Sequence, residues 1–167
     1  MKKLYLLKAI IDFVWIMALI SVPFLLIFIG YSLISNDPFD VPINMNGIKI
    51  AVLDLNAKIA LFFVTLSYLL LLYGLYLIKK LLQLFQLKII FDDKIIFYFN
   101  RIGNLFILSG FASGIPAFFY KVAQGEIKIE IGANPFLYLI SLGLFFTVLA
   151  EVFKMGKQLK EENELTI

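Results

Sequence analysis

Two carboxylates stand beside long apolar stretches, and they are the first side chains in this sequence that could do chemistry. Asp12 directly precedes one such stretch and Glu151 directly follows another. An acid within a membrane is a candidate for relaying protons or ions, because charge in hydrocarbon is costly to keep. Lys8 precedes Asp12 by one turn and Lys154 follows Glu151 by one turn. The acids therefore also suit an interfacial charge layer of Asp12, Arg101 and Glu151 that fixes helix register, which we favour.

Other chemistry is restricted by what the composition lacks. Cysteine and histidine are both absent. Their absence removes disulfides, thiol nucleophiles, Cys/His metal sites and imidazole acid–base catalysis. The glycines are scattered rather than clustered in a phosphate-binding loop. We therefore expect no catalytic residue, no cofactor and no metal site, and we expect that the protein is not an enzyme.

The elements that position these acids are predicted from hydropathy. Of the 167 residues 62% are hydrophobic and 16% charged, and the mean hydropathy is +0.94. Soluble domains are about half apolar and a quarter charged. Four stretches lack Asp, Glu, Lys and Arg, namely 13–36, 59–78, 102–120 and 131–150. A helix crosses the hydrocarbon core with roughly 20 such residues. We predict an all-α integral membrane protein, a single domain over 1–167 with a four-transmembrane-helix bundle and spans of roughly 9–34, 57–79, 101–121 and 134–155.

The distribution of basic residues predicts the orientation. Most of the 15 Lys and Arg residues lie in the N-terminal segment, in the connection between the second and third spans, and in the C-terminal tail. The positive side of a membrane protein faces the cytoplasm. We therefore expect a multi-pass protein of the cytoplasmic membrane with both its N- and C-termini in the cytoplasm.

The two connections predicted on the opposite side show strand patterning. Apolar residues alternate on both sides of Asn46-Gly47, which is a strong hairpin signal. Residues 126–131 alternate Ile with charged neighbours. We predict a small extracytoplasmic sheet with a hairpin at 41–52 and a third strand at 126–131; the alternative is two separate loops.

The connection on the positive side stays apolar between its charges, and we predict a cytoplasmic helical hairpin over 80–100. The second helix would continue to about Lys88, and Asp92 or Asp93 would cap the next helix. The exposed Phe and Ile side chains of this hairpin need cover from lipid, from the bundle or from a partner.

Small residues recur in the third span, where Gly103, Gly110 and Gly114 lie. Small residues let helix backbones approach closely in lipid. We favour packing against helices of the same chain over dimerisation, and the formation of a homo-oligomer stays open.

The C-terminal tail, residues 156–167, mixes acidic with apolar residues, a pattern that suits a peptide docking on another protein. The alternative is a tail that folds back on the cytoplasmic hairpin. The candidate docking residues are Leu159, Glu161, Glu162, Glu164, Leu165 and Ile167.

The C-terminal stretch "LAEVFKMGKQLKEENELTI", together with Phe91, the acidic pair after it and "NRIG" ending at Gly103, resembles an uncharacterised family of short bacterial membrane proteins. That family is a domain of unknown function with four predicted spans, and the resemblance covers essentially the whole chain. The family commonly has a Gly-Lys-type turn before the Phe, where this chain has "QLKII". The resemblance implies no catalytic residue. It implies, by analogy, a membrane partner for a small helix-turn-helix regulator.

These observations lead to one functional hypothesis and one alternative. We expect a non-enzymatic sensor or anchor that contacts membrane lipid and a cytoplasmic protein partner, such as a DNA-binding regulator, without binding nucleic acid itself. The alternative is a small transporter or channel subunit that uses Asp12 or Glu151.

Overall fold

The computed structural model describes residues 2–35, 43–45, 48–50, 53–123, 125 and 135–165. Four long helices account for most of this part of the chain: α1 (Lys2–Ile34), α2 (Leu55–Gln86), α3 (Asp93–Ala123) and α4 (Pro135–Leu165). Each is long and apolar enough to cross a membrane, which confirms the prediction of four helices of spanning length. At a rise of 1.5 Å per residue they measure about 46–50 Å. They therefore exceed the roughly 30 Å hydrocarbon core and project beyond it.

Two three-residue strands lie within the stretch predicted to form a hairpin. β1 (Ile43–Met45) and β2 (Ile48–Ile50) pair antiparallel, with Ile43 opposite Ile50. An isolated two-stranded pair this short is marginally stable at best. The third strand predicted at 126–131 lies outside the described residues. The small sheet is therefore not supported as a folded unit, and the architecture is that of four helices.

The helices pack in chain order. α1 packs chiefly on α2, α2 on α3, and α3 on α4, and the residues that meet show that each helix is antiparallel to the one before. The start of α1, the end of α2, the start of α3 and the end of α4 therefore lie together, and we call this the terminal end; the opposite end is the loop end. Within α1, only Ser32 is buried. The outer faces of these helices are apolar and exposed, as lipid contact requires.

Buried side chains form two clusters, one towards each end. The cluster at the loop end joins Leu53, Ala57 and Leu61 to Tyr120 of α3. The larger cluster lies at the terminal end and is built by α2, α3 and one residue of α4: Leu77, Leu81, Ile95, Phe99, Ile102, Leu105, Phe106 and Ala150. The larger buried core therefore lies at the terminal end, which holds the start of α1 and the end of α4.

The connection between α2 and α3 is short and its ends are capped. The backbone N–H of Ile89 donates to the carbonyl of Leu84, and that of Lys88 donates to the carbonyl of Phe85. These two hydrogen bonds are typical of a helix end at which the residue after the C-cap is left-handed. Lys88 is that residue and has φ 59°. Asp92 accepts a hydrogen bond from the Lys94 N–H at 2.8 Å and so caps α3, one of the two caps that the sequence predicted.

Candidate functional site

Four phenylalanines hold the terminal ends of α2, α3 and α4 together. The ring of Phe153 on α4 lies 5.9 Å from Phe85, 6.3 Å from Phe91 and 5.0 Å from Phe99, measured between centroids. These separations are in the range of favourable aromatic pairs. Because the four rings come from α2, the connection, α3 and α4, they fix these segments relative to one another.

A close approach at Gly156 attaches the connection to the tail. A Cβ atom added to Gly156 would lie 2.6 Å from Cε1 of Phe91. Only a glycine on α4 lets the Phe91 ring lie this close to the helix backbone. The α2–α3 connection is therefore packed onto the beginning of the tail.

An ion pair next to this contact joins α3 to α4. The Lys157 ammonium donates a hydrogen bond to Asp93 Oδ2 at 2.7 Å and lies 3.5 Å from Glu161 Oε1. The hydrogen bond to Asp93 raises the pKa of Lys157 above its ordinary value of 10.5. The pair lies at the surface, so it orients the tail more than it stabilises the fold.

Beyond this attachment, apolar side chains remain exposed at the terminal end. Leu87 is 68% exposed in the connection, while Leu159 is 61% and Leu165 is 87% exposed on α4. We call the exposed apolar residues here the terminal-end patch, defined as Leu87, Ile89, Ile90, Phe91, Leu159 and Leu165. Exposed apolar groups in water mark interaction surfaces when they lie close together.

The acidic residues predicted for docking lie on the same part of α4. Glu161, Glu162 and Glu164 are exposed, and Glu164 is 3.6 Å from the Lys160 ammonium. Ile167 lies outside the described residues. The structure thus contains an element of both alternatives for the tail, because its start packs on the connection while Leu159 and Leu165 project from it.

The predicted charge layer is present only at Asp12. Its carboxylate lies 3.6 Å from the Lys8 ammonium and 3.2 Å from that of Lys79, and the buried Oδ1 atom faces Lys79 as an ion pair without hydrogen-bond geometry. Within the described part of the chain, Arg101 and Glu151 are exposed and form no ion pair. Their membership of the layer stays a prediction.

Two aromatic rings lie next to the Asp12–Lys79 ion pair, where α1 contacts α2. The Lys79 ammonium lies 4.7 Å from the centre of the Trp15 ring, and that of Lys80 lies 5.5 Å from the centre of the Tyr76 ring. The two rings are 6.1 Å apart. The ion pair between Lys79 and Asp12 was not predicted from the sequence. A signal was present, because Asp12 and Lys79 are the charged residues that border the first and second apolar stretches at the terminal end.

The three glycines of the third span all face α4. A Cβ atom on Gly103 would collide with Thr147 and with the carbonyl of Gly143, one on Gly110 would press on Ile140, and one on Gly114 would collide with Phe136. Gly143, which meets Gly103 from the other helix, was not predicted from the sequence. The glycines serve the α3–α4 contact of this chain.

Hydroxyl groups link the helices in the middle of the bundle. The hydroxyl oxygens of the buried Ser67 and Ser109 side chains are 2.6 Å apart, and each hydroxyl also lies within hydrogen-bond distance of the other residue's backbone carbonyl. The Tyr68 hydroxyl of α2 donates to the Ala18 carbonyl of α1 at 2.9 Å. Such bonds between helices are favourable in lipid, where water does not compete for them.

A cavity of about 560 Å³ lies between α2 and α3 towards the loop end. Its lining is almost wholly apolar, with Asn56 and Tyr120 the polar exceptions. Asp12 and Glu151 are not among its lining residues. Among the described residues, no three acids converge as metal ligands.

Comparison with known proteins gives a family and no function. The model of the family described as "Protein of unknown function (DUF2975)" matches residues 7–167. The expected membership of a family defined as a domain of unknown function is confirmed. No curated protein and no solved structure matches the chain.

Proposed function

We propose that this chain, which belongs to the DUF2975 family, is a non-enzymatic multi-pass protein of the bacterial cytoplasmic membrane that docks a cytoplasmic protein on its terminal-end patch. A small helix-turn-helix regulator is the partner that the family analogy suggests. The observation that carries the proposal is the exposure of apolar side chains at the terminal end, beside the larger of the two buried clusters.

The basic residues support a cytoplasmic location for this end. Lys2, Lys3, Lys8, Lys79 and Lys80 all lie there, and α3 and α4 add further cations. Cytoplasmic segments close to membrane spans carry an excess of Lys and Arg. Both termini then face the cytoplasm.

Helix lengths support exposure of the patch to water rather than lipid. If α2 leaves the hydrocarbon at Lys79, its end at Gln86 stands about 10 Å beyond that level at 1.5 Å per residue. If α4 leaves it at Met155, Leu165 stands about 15 Å beyond. The patch then lies at and outside the headgroup region, where exposed leucines have no hydrocarbon to cover them.

The chemistry of the surface specifies the chemistry of the partner. Glu161, Glu162 and Glu164 lie between Leu159 and Leu165 on the last two turns of α4. An amphipathic helix with basic residues on its polar face would cover the leucines and pair with the acids. The aromatic cluster around Phe153 gives this surface a preformed shape, which lowers the entropic cost of binding.

Replacing the leucines with serine tests the proposal. Tagged full-length protein, L159S/L165S and L6S/L7S would be crosslinked in cells, purified in detergent and compared by quantitative mass spectrometry. Leu6 and Leu7 are exposed leucines at the same end of the molecule, but on α1, so they match the change while sparing the patch. We expect a co-purifying protein that L159S/L165S loses and L6S/L7S keeps. Equal recovery of the co-purifying protein with L159S/L165S and with L6S/L7S would refute docking at the patch. Undiminished recovery of that protein with a chain stopped after Met155 would refute it as well.

No observation among the described residues favours the transport alternative. The cavity between α2 and α3 holds neither Asp12 nor Glu151. Asp12 is paired with two lysines near the start of the predicted first span rather than at its centre, whereas transport sites usually lie near the middle of the membrane.

A further inference from the structure

The charges of the first two helices are unevenly distributed along the helices. In α1 and α2 the single acidic residue is Asp12. The lysines at the terminal end of these helices are Lys2, Lys3, Lys8, Lys79 and Lys80. The terminal ends of α3 and α4 instead mix cations with acids. The α1–α2 side of this end is therefore strongly positive, while the α3–α4 side is nearly balanced.

Two of these lysines are held in place rather than extended into solvent. The Lys79 ammonium is fixed between the Asp12 carboxylate at 3.2 Å and the Trp15 ring at 4.7 Å. The Lys80 ammonium lies over the Tyr76 ring at 5.5 Å. Because the two rings are 6.1 Å apart, they form one aromatic surface that makes cation–π contacts with two neighbouring ammonium groups.

The single carboxylate leaves this cluster with uncompensated charge. Asp12 is shared between Lys8 and Lys79. In the part of the chain that the structure describes, no acid pairs with Lys80. Two ammonium groups thus share one carboxylate, while a third, that of Lys80, lies over the neighbouring Tyr76 ring.

We propose that this cluster on the α1–α2 seam binds the headgroup of an anionic phospholipid. The lipid phosphate would accept hydrogen bonds from Lys80 and from whichever of Lys8 and Lys79 is released from Asp12. Trp15 and Tyr76 would lie at headgroup depth, as such rings do at membrane interfaces. The acyl chains would follow the exposed apolar face of α1, which Phe13 and Ile16 begin. This inference does not depend on a protein partner at the terminal-end patch.

Trp15 is the sole tryptophan of the chain and therefore a built-in reporter for this site. Protein in nanodiscs of dioleoylphosphatidylcholine would be prepared with increasing fractions of phosphatidylglycerol brominated on its acyl chains, and in parallel with brominated phosphatidylcholine. Bromine quenches tryptophan only at short range, so the ratio of the two quenching curves reports lipid selectivity beside Trp15. The variants are K79Q/K80Q and, as a control of equal charge at the same end of the molecule, K2Q/K3Q.

We expect the wild-type protein to select brominated phosphatidylglycerol over phosphatidylcholine. A lysine near an anionic surface contributes about fivefold to binding, so K79Q/K80Q should lose roughly 25-fold in selectivity. K2Q/K3Q should retain most of it. If K79Q/K80Q fails to fold, K80Q compared with K3Q serves the same purpose, because Lys80 has no acid partner among the described residues to lose. Absence of selectivity in the wild-type protein, or equal losses in the two variants, would overturn the site.

Discussion

The crossing of α3 and α4 at Gly103 and Gly143 provides the sharpest test of the packing. A Cβ atom on Gly103 would lie 2.7 Å from the carbonyl oxygen of Gly143, and one on Gly143 would lie 2.7 Å from the carbonyl oxygen of Gly103. Both contacts are with backbone, which cannot rotate away as the end of a side chain can. Alanine at either position must therefore move the helices apart.

The size of the effect follows from these distances. Ordinary contact for a Cβ atom begins near 3.4 Å, so each alanine demands a displacement of about 0.7 Å. Overpacking of this kind costs about 1–3 kcal/mol. For a chain of this length that loss lowers the melting temperature by about 2–12 °C.

The assay is thermal unfolding in detergent followed by circular dichroism, with G103A and G143A compared with G30A. Gly30 lies in α1 with nothing within 4 Å of its added Cβ atom, so G30A controls for the glycine-to-alanine change itself. We expect G30A to be neutral or slightly stabilising, because alanine favours helix over glycine. Melting temperatures for G103A and G143A that equal that of G30A would refute the close α3–α4 approach.

Three further predictions concern other contacts. K88G should stabilise the protein by about 0.5–1 kcal/mol in the same unfolding assay. Glycine removes the steric strain of the left-handed φ of 59°, and this gain exceeds the extra conformational entropy that glycine loses on folding. A loss of stability would contradict this. D93N should lower the pKa of Lys157 towards 10.5. The raised pKa means that the pair stabilises below pH 10.5 and stops doing so as pH rises through the higher folded-state value, so the stabilities of wild type and D93N should converge in alkali; a constant difference at every pH would contradict it. A double-mutant cycle of S67A and S109A should give a coupling of about 0.6–1.7 kcal/mol, and a coupling near zero would show that the reciprocal bonds do not form.

Hydropathy was sufficient to predict the four helices, because the need for apolar residues across hydrocarbon leaves a signal in each helix separately. The cap at Asp92 was predictable for a similar reason, since capping involves only neighbours in sequence. The strands β1 and β2 had a local turn signal at Asn46-Gly47, yet three-residue strands do not make an independent sheet.

Contacts between distant residues were not predictable from one sequence. The Lys157–Asp93 pair spans 64 positions, and no local pattern connects its members. The chain has 18 Phe residues, so nothing in the sequence distinguished those around Phe153 from those that face lipid. Asp12, Arg101 and Glu151 were grouped by depth alone, and depth does not show which helices are neighbours; α1 meets α2, so Asp12 meets Lys79.

The proposed function depends on a cytoplasmic location for the terminal-end patch, and cysteine accessibility measures this location. The chain has no cysteine, so single variants K3C, L165C and A123C can be labelled in cells without background. Ala123 is the exposed last residue of α3 at the loop end. With a maleimide that does not cross membranes, we expect A123C to react in intact cells and K3C and L165C to react only after permeabilisation. Labelling of L165C in intact cells, or opposite behaviour of K3C and L165C, would show that the patch does not lie in the cytoplasm.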